Sequence, residues 1–132
     1  MAERHQLKFL RLQGPYAIVR LAPRAAIPAW ATRGDFTSIT RTGDELSIVC
    51  LAENLPGEIH SSERWQCFKL QGPFPFSQTG ILLSFIAPLS SAGIPIFAIS
   101  TFDTDYVLIP DEFADLALDA VQRAGHEMSG TS

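Results

Sequence analysis

The chain has 132 residues, 46% of them hydrophobic and 18% charged, the balance of a soluble globular domain with enough apolar surface for a core. Its net charge of −4 excludes a basic nucleic-acid surface or an anionic-membrane surface. The longest apolar run, Gly80–Leu89, is far shorter than the roughly 20 residues that cross a bilayer, and MAERHQLKF lacks a secretion signal, so the chain reads as cytoplasmic. Cys50 and Cys67 show no CxxC spacing and read as reduced, buried thiols rather than a disulfide.

Met1–Gln6 reads as a short frayed start. Leu7–Gln13 is a strand, Gly14-Pro15 punctuates it, and Tyr16–Leu21, with Ile18 and Val19, is a second strand. Pro23–Arg33 is at best a helix of one or two turns from Pro28. Within it Trp30 reads as core packing, with a lid over a site as the other reading. Phe36–Arg41 and Leu46–Leu51 form a hairpin across Thr42-Gly43-Asp44-Glu45. Leu55–Ser62 carries turn signals, and Trp65–Gln71 is a strand.

The chain is organised around Gln78–Asp105. After Thr79-Gly80, the residues Ile81, Leu82, Phe85, Ile86 and Leu89 share one face of a 3.6-residue period, which predicts a helix. Pro88 removes one of its hydrogen bonds and predicts a kink, and Ala92-Gly93 supplies the stop. Ile94–Thr101 alternates as a strand, Phe102-Asp103-Thr104-Asp105 is a polar hairpin tip, and Tyr106–Ile109 returns. The last helix sets Phe113, Leu116, Ala117, Ala120, Val121 and Ala124 on one face, with Asp111 as N-cap, Arg123 in its last turn and Gly125 past its end. His126–Ser132 is expected to be disordered.

An internal repeat runs through these elements. LRLQGP at Leu10–Pro15 matches FKLQGP at Phe68–Pro73 at an offset of 58 residues (68 minus 10). The hairpin Phe36–Cys50 matches Ile96–Pro110 at an offset of 60 (96 minus 36). Two near-equal offsets predict two diverged copies of one unit, the first with a stunted helix. Strand, helix and hairpin are half of a ferredoxin-like βαββαβ unit. Copy two ends in a helix and a tail, so its fourth strand is expected from Leu7–Gln13. The expected fold is α+β: two ferredoxin-like halves, about 14–64 and about 65–126 plus strand 7–13, with antiparallel sheets, helices on one face, and interlocking through the N-terminal strand.

No nucleophile elbow, dinucleotide fingerprint, phosphate loop or zinc spacing is present, and no catalytic residue, cofactor or metal is assigned. His5, His60 and His126 fall in the start, a loop and the tail, and read as surface residues. Thr79-Gly80 opens a helix whose unpaired N–H groups favour an anion such as an α-carboxylate, while Thr79 as a plain N-cap is the simpler reading. At the hairpin tip Asp103 and Asp105 can hold a cation or simply form the turn, and Phe102 can wall the aliphatic part of a ligand.

The wording adds to this. TGILLSFIAPLSSAGIPIFAISTFDTDYVLIP closely resembles the small amino-acid-binding ACT-domain proteins related to the CASTOR-type arginine sensors, and PAWATRGDFTSITRTGDELSIVC resembles the first half of the same family. The resemblance implies a non-catalytic regulatory module that binds a free amino acid between its two halves, with a second copy, as a homodimer, for a further partner. It implicates Thr79, Gly80, Ile81, Thr101, Phe102, Thr104 and Asp105, with Ser38, Ile39 and Thr40 facing them from copy one. The alternative is a ligand-independent interaction or dimerisation module, with Leu118 as an exposed anchor off the core face of the last helix.

Overall fold

The structure is a computed structural model that describes residues 5–59, 63–75 and 77–131. Met1–Arg4 of the expected frayed start, and His60, lie outside the described residues. The chain divides into two compact units, Met1–Gln13 with Gln66–Ser132, and Gly14–Trp65.

Strand β1, Lys8–Leu21, contributes to both units. The break expected at Gly14-Pro15 does not occur: one strand of 14 residues runs through it, and the Gly14–Pro15 bond is cis, as is Gly72–Pro73. In the first unit β4 (Trp65–Leu70), α1 (Ile81–Ser91), β5 (Phe97–Ser100), β6 (Asp105–Pro110), α2 (Ala114–Arg123) and β7 (Glu127–Thr131) follow in turn. The β2 and β3 labels belong to the hairpin of the other unit, Ser38–Arg41 and Leu46–Leu51. The βαββαβ succession is therefore complete in the first unit, and Glu127–Thr131 of the expected disordered tail form its last strand. The sheet order is β7-β1-β4-β6-β5, so the N-terminal strand lies between β4 and β7 rather than replacing a missing strand. β1 pairs β7 in parallel, Lys8 opposite Glu127, while β5 and β6 are antiparallel.

The core of this unit lies between sheet and helices. Phe9, Phe68 and Phe85 are fully buried, with Phe9 edge-on to Phe68 at 5.5 Å and to Phe85 at 5.3 Å. Ile81 and Leu89 from α1, Val107 and Ile109 from β6, and Ala117 and Val121 from α2 complete it. Both helices end as expected, with Gly93 and Gly125 at φ 75° and 97°. The start of α2 differs. Asp111–Phe113 form a 3-10 turn, and Asp111 accepts from the Gln66 side chain instead of capping the helix. The helix therefore begins at Ala114 and its buried face centres on Ala114, Ala117 and Val121. Leu116 is left 48% exposed, while Leu118, expected to be the exposed one, packs against the core.

The second unit pairs β1 with β3 and β3 with β2, both antiparallel, Tyr16 opposite Leu51 and Ser38 opposite Val49. Short 3-10 turns at Ala29–Thr32 and Ala52–Asn54 take the place of helices, and no α-helix occurs among its described residues. Trp30 is partly buried and packs against the clusters of Leu46, Ile48 and Cys50, and of Ala17 and Val19, at the edge of the core.

Cys50 and Cys67 are free and buried. Burial pushes both thiols up from their ordinary range, because a thiolate loses its hydration there. Below about pH 8.5 both folded and unfolded chains keep these protons. Above it the unfolded chain releases them first, so folding stability falls as pH rises, by up to about 1.4 kcal/mol per thiol for each further unit. Urea midpoints at pH 7.5 and 9.5 check this: Cys67→Ala is expected to have a smaller alkaline drop than the unaltered chain.

Candidate functional site

The site is built where the β5–β6 hairpin tip meets the approach to α1, within the first unit. Thr101 donates its backbone N–H to the Thr104 carbonyl at 2.8 Å, and its hydroxyl also reaches that carbonyl. Thr104 is buried and donates its hydroxyl to the Leu70 carbonyl at 2.7 Å, which ties the tip to the end of β4. Ser100 Oγ donates to Asp105 Oδ1 across paired positions of the hairpin. The segment after β4 closes on this tip. Phe74 N–H donates to the Asp103 carbonyl at 3.0 Å, and a Cβ at Gly72 would lie 2.8 Å from the same oxygen, so glycine is needed there. Just before α1, Gln78 N–H donates to the Pro75 carbonyl at 3.0 Å. Gly80, left-handed at φ 81°, is the N-cap and no side chain caps it, so the Thr79 N-cap reading is set aside.

A cleft of about 190 Å³ lies among these segments, lined by Phe74, Pro75, Gln78 and Ile81 and by Ser100–Asp105. Of the residues implicated by sequence, Ile81, Thr101, Phe102, Thr104 and Asp105 line it. Thr79 and Gly80 adjoin it in the chain without lining it. Ser38, Ile39 and Thr40 stand on β2 in the Gly14–Trp65 unit, and none lines the cleft. Phe74 and Pro75 were missed from the sequence; the Gly72-Pro73 pair before them was the available signal, used only as the end of the repeated FKLQGP string.

The charged residues lining the cleft are Asp103 and Asp105, so its field favours a cation. Ile81 begins α1, where first-turn N–H groups lack intrahelical acceptors and suit a carboxylate. Phe74, Pro75 and Ile81 give apolar walls, and Phe102 stands 79% exposed at the tip. Thr104 is not an open donor, because its hydroxyl is committed to Leu70. Among the described residues no cluster of His, Cys, Asp or Glu forms a metal site.

His126, expected on the surface, is 3% exposed. It accepts the Leu7 N–H at Nδ1 at 3.0 Å and reaches the Ser84 carbonyl through Nε2 at 2.8 Å. His5 Nε2 donates to the Thr79 carbonyl at 3.1 Å, and His5 N–H to Ser84 Oγ at 2.8 Å. The sequence did carry a signal for His126. It follows Gly125 as Ile94 follows Gly93, and both donate N–H back into their helix, to Val121 and Leu89. In such glycine stops the residue after the glycine commonly folds back onto the last turn, and Ile94 is buried too.

Comparison with known proteins follows this division. An ACT-domain family model matches residues 60–123, and a model described as an N-terminal domain matches residues 14–58. Cytosolic arginine sensor for mTORC1 subunit 1, from Homo sapiens and from Bos taurus, is 33% identical over 64 residues, 48% of this chain. The chain spans about a fifth, 20%, of the length of those curated relatives. The crystal structure of protein Atu0741 from Agrobacterium tumefaciens superposes with a TM-score of 0.88 at 48% identity, covering 96% of this chain and 94% of that one. VC0802 from Vibrio cholerae, a protein of unknown function described as a possible transport protein, shares the fold at 19% identity, TM-score 0.73 and 91% coverage of each chain. On the near full-length match to the Agrobacterium protein and the ACT match across the cleft-bearing unit, this chain belongs to the family of small ACT-domain proteins related to the cytosolic arginine sensors.

Proposed function

We propose that the chain is a non-catalytic regulatory or sensor module that holds a free amino acid in the cleft between the hairpin tip and the start of α1. The observation that carries this reading is the meeting of two opposite chemistries there. The start of α1 at Ile81 offers backbone N–H groups to an α-carboxylate, and Asp105 offers a carboxylate to a cationic group. Its curated relatives are named as arginine sensors, which supports an amino acid as the class of ligand. Asp103 and Asp105 disfavour acidic side chains, so the ligand is a neutral or basic amino acid.

A thermal-shift screen against the twenty amino acids at millimolar concentration tests this. At one hundred times its dissociation constant a ligand adds about 2.7 kcal/mol to folding stability. A neutral or basic amino acid is expected to raise Tm, with aspartate and glutamate silent. No shift with any of them, together with a stable dimer in light scattering without ligand, would replace this reading with a dimerisation module.

A further inference from the structure

Pro88 lies inside α1, which continues through it to Ser91. The N–H that proline lacks is the one that would reach the carbonyl four residues back, at Ser84. Ser84 is buried, and an unpaired carbonyl there would be costly. His126 Nε2 stands 2.8 Å from that oxygen. The Leu7 amide can only donate, so Nδ1 is an acceptor and the ring hydrogen sits on Nε2, directed at Ser84. The ring packs against Phe85 at 5.4 Å. One residue earlier, Ser84 Oγ donates to the Gly80 carbonyl at 2.6 Å, at the start of the turn that brings Ile81 to the cleft.

We propose that His126 is a positioning residue: it supplies the hydrogen bond that Pro88 withholds from α1, and thereby holds the first turn of α1 in its cleft-lining place. The proposal deepens the amino-acid-binding reading and rests on it only for the consequence in affinity. The signature is a dependence on Pro88. A residue that merely fills space would matter equally whether or not the helix could serve Ser84 itself.

Two isosteric variants separate the two ring nitrogens. His126→Gln keeps a donor near the Nε2 position, whereas His126→Asn keeps only a group near Nδ1, on the Leu7 side. Amide exchange of Ser84 and Phe85, referred to Val121 in α2, reads the first turn without any ligand. His126→Asn is expected to speed exchange of Ser84 and Phe85 about tenfold more than that of Val121, and His126→Gln much less. Adding Pro88→Ala, which restores a backbone donor to Ser84, should return the ratio toward that of the unaltered protein. If His126→Asn alone does not fold, the double variant is expected to fold. A parallel rise at all three amides, or no rescue by Pro88→Ala, overturns the proposal. The amino acid with the largest shift in the thermal screen should bind His126→Asn more weakly and recover in the double variant. The rescue seen in exchange, with no amino acid bound by the unaltered protein, would uphold the positioning role and reject the binding reading.

Discussion

Phe85→Ala is expected to cost about 3–5 kcal/mol of folding stability, the range for truncating a fully buried phenylalanine. Phe85 joins three parts of the unit: α1 itself, Phe9 of the N-terminal strand at 5.3 Å and Phe68 of β4 at 6.4 Å. Its ring also meets His126. Removal leaves a cavity that these partners, drawn from a sheet and a helix, cannot easily close. The melting temperature should fall by about 10 °C or more. Leu116→Ala is the control, because Leu116 is 48% exposed and its truncation should stay within about 0.5 kcal/mol. Thermal and urea unfolding of both variants measures the difference. A cost at Leu116 equal to that at Phe85 would contradict the packing of α2 about Ala114, Ala117 and Val121.

Asp105→Asn is expected to weaken binding of the amino acid identified by the thermal screen about tenfold or more, since hydrogen bonds to charged groups contribute about 1.5–3 kcal/mol. Asp105 is partly buried at the cleft, and its Oδ1 already accepts from Ser100. Asparagine can still accept from Ser100 through its carbonyl oxygen, so the hairpin should keep its form and the free protein most of its stability. Calorimetric titration of both proteins with the same amino acid decides. Equal affinities with a shifted melting temperature would make Asp105 a turn former and remove it from the site.

Much of the first unit was legible because its signals are local. Apolar spacing in Ile81–Leu89, the glycines at 93 and 125, and the polar tip between two branched strands each act within a few residues. The part of the candidate site carried by Ile81 and the hairpin tip was legible for the same reason. The approach through Phe74 and Pro75 was not, since it is the hydrogen bond from Phe74 N–H to the Asp103 carbonyl, 29 residues on (103 minus 74), that holds it at the tip.

Other features depended on partners far away in the chain. EMSGT at Glu127–Thr131 has no alternating apolar face, and it becomes a strand because Lys8–Arg11 offers it a backbone ladder. LRLQGPYAIVRL looks interrupted at Gly14-Pro15, yet the strand continues with ladders to β7 before that point and to β3 after it. His126 looked like a tail residue by position. Leu7 and the Ser84 carbonyl that Pro88 leaves open, 119 and 42 residues distant, bury it by supplying complementary hydrogen bonds. The sequence alone thus determined helices, stops and the polar hairpin tip, whose physics is short-ranged. The edge strand, the buried histidine and the composition of the cleft were decided by the tertiary structure, because each needs a donor, an acceptor or a wall from a remote segment.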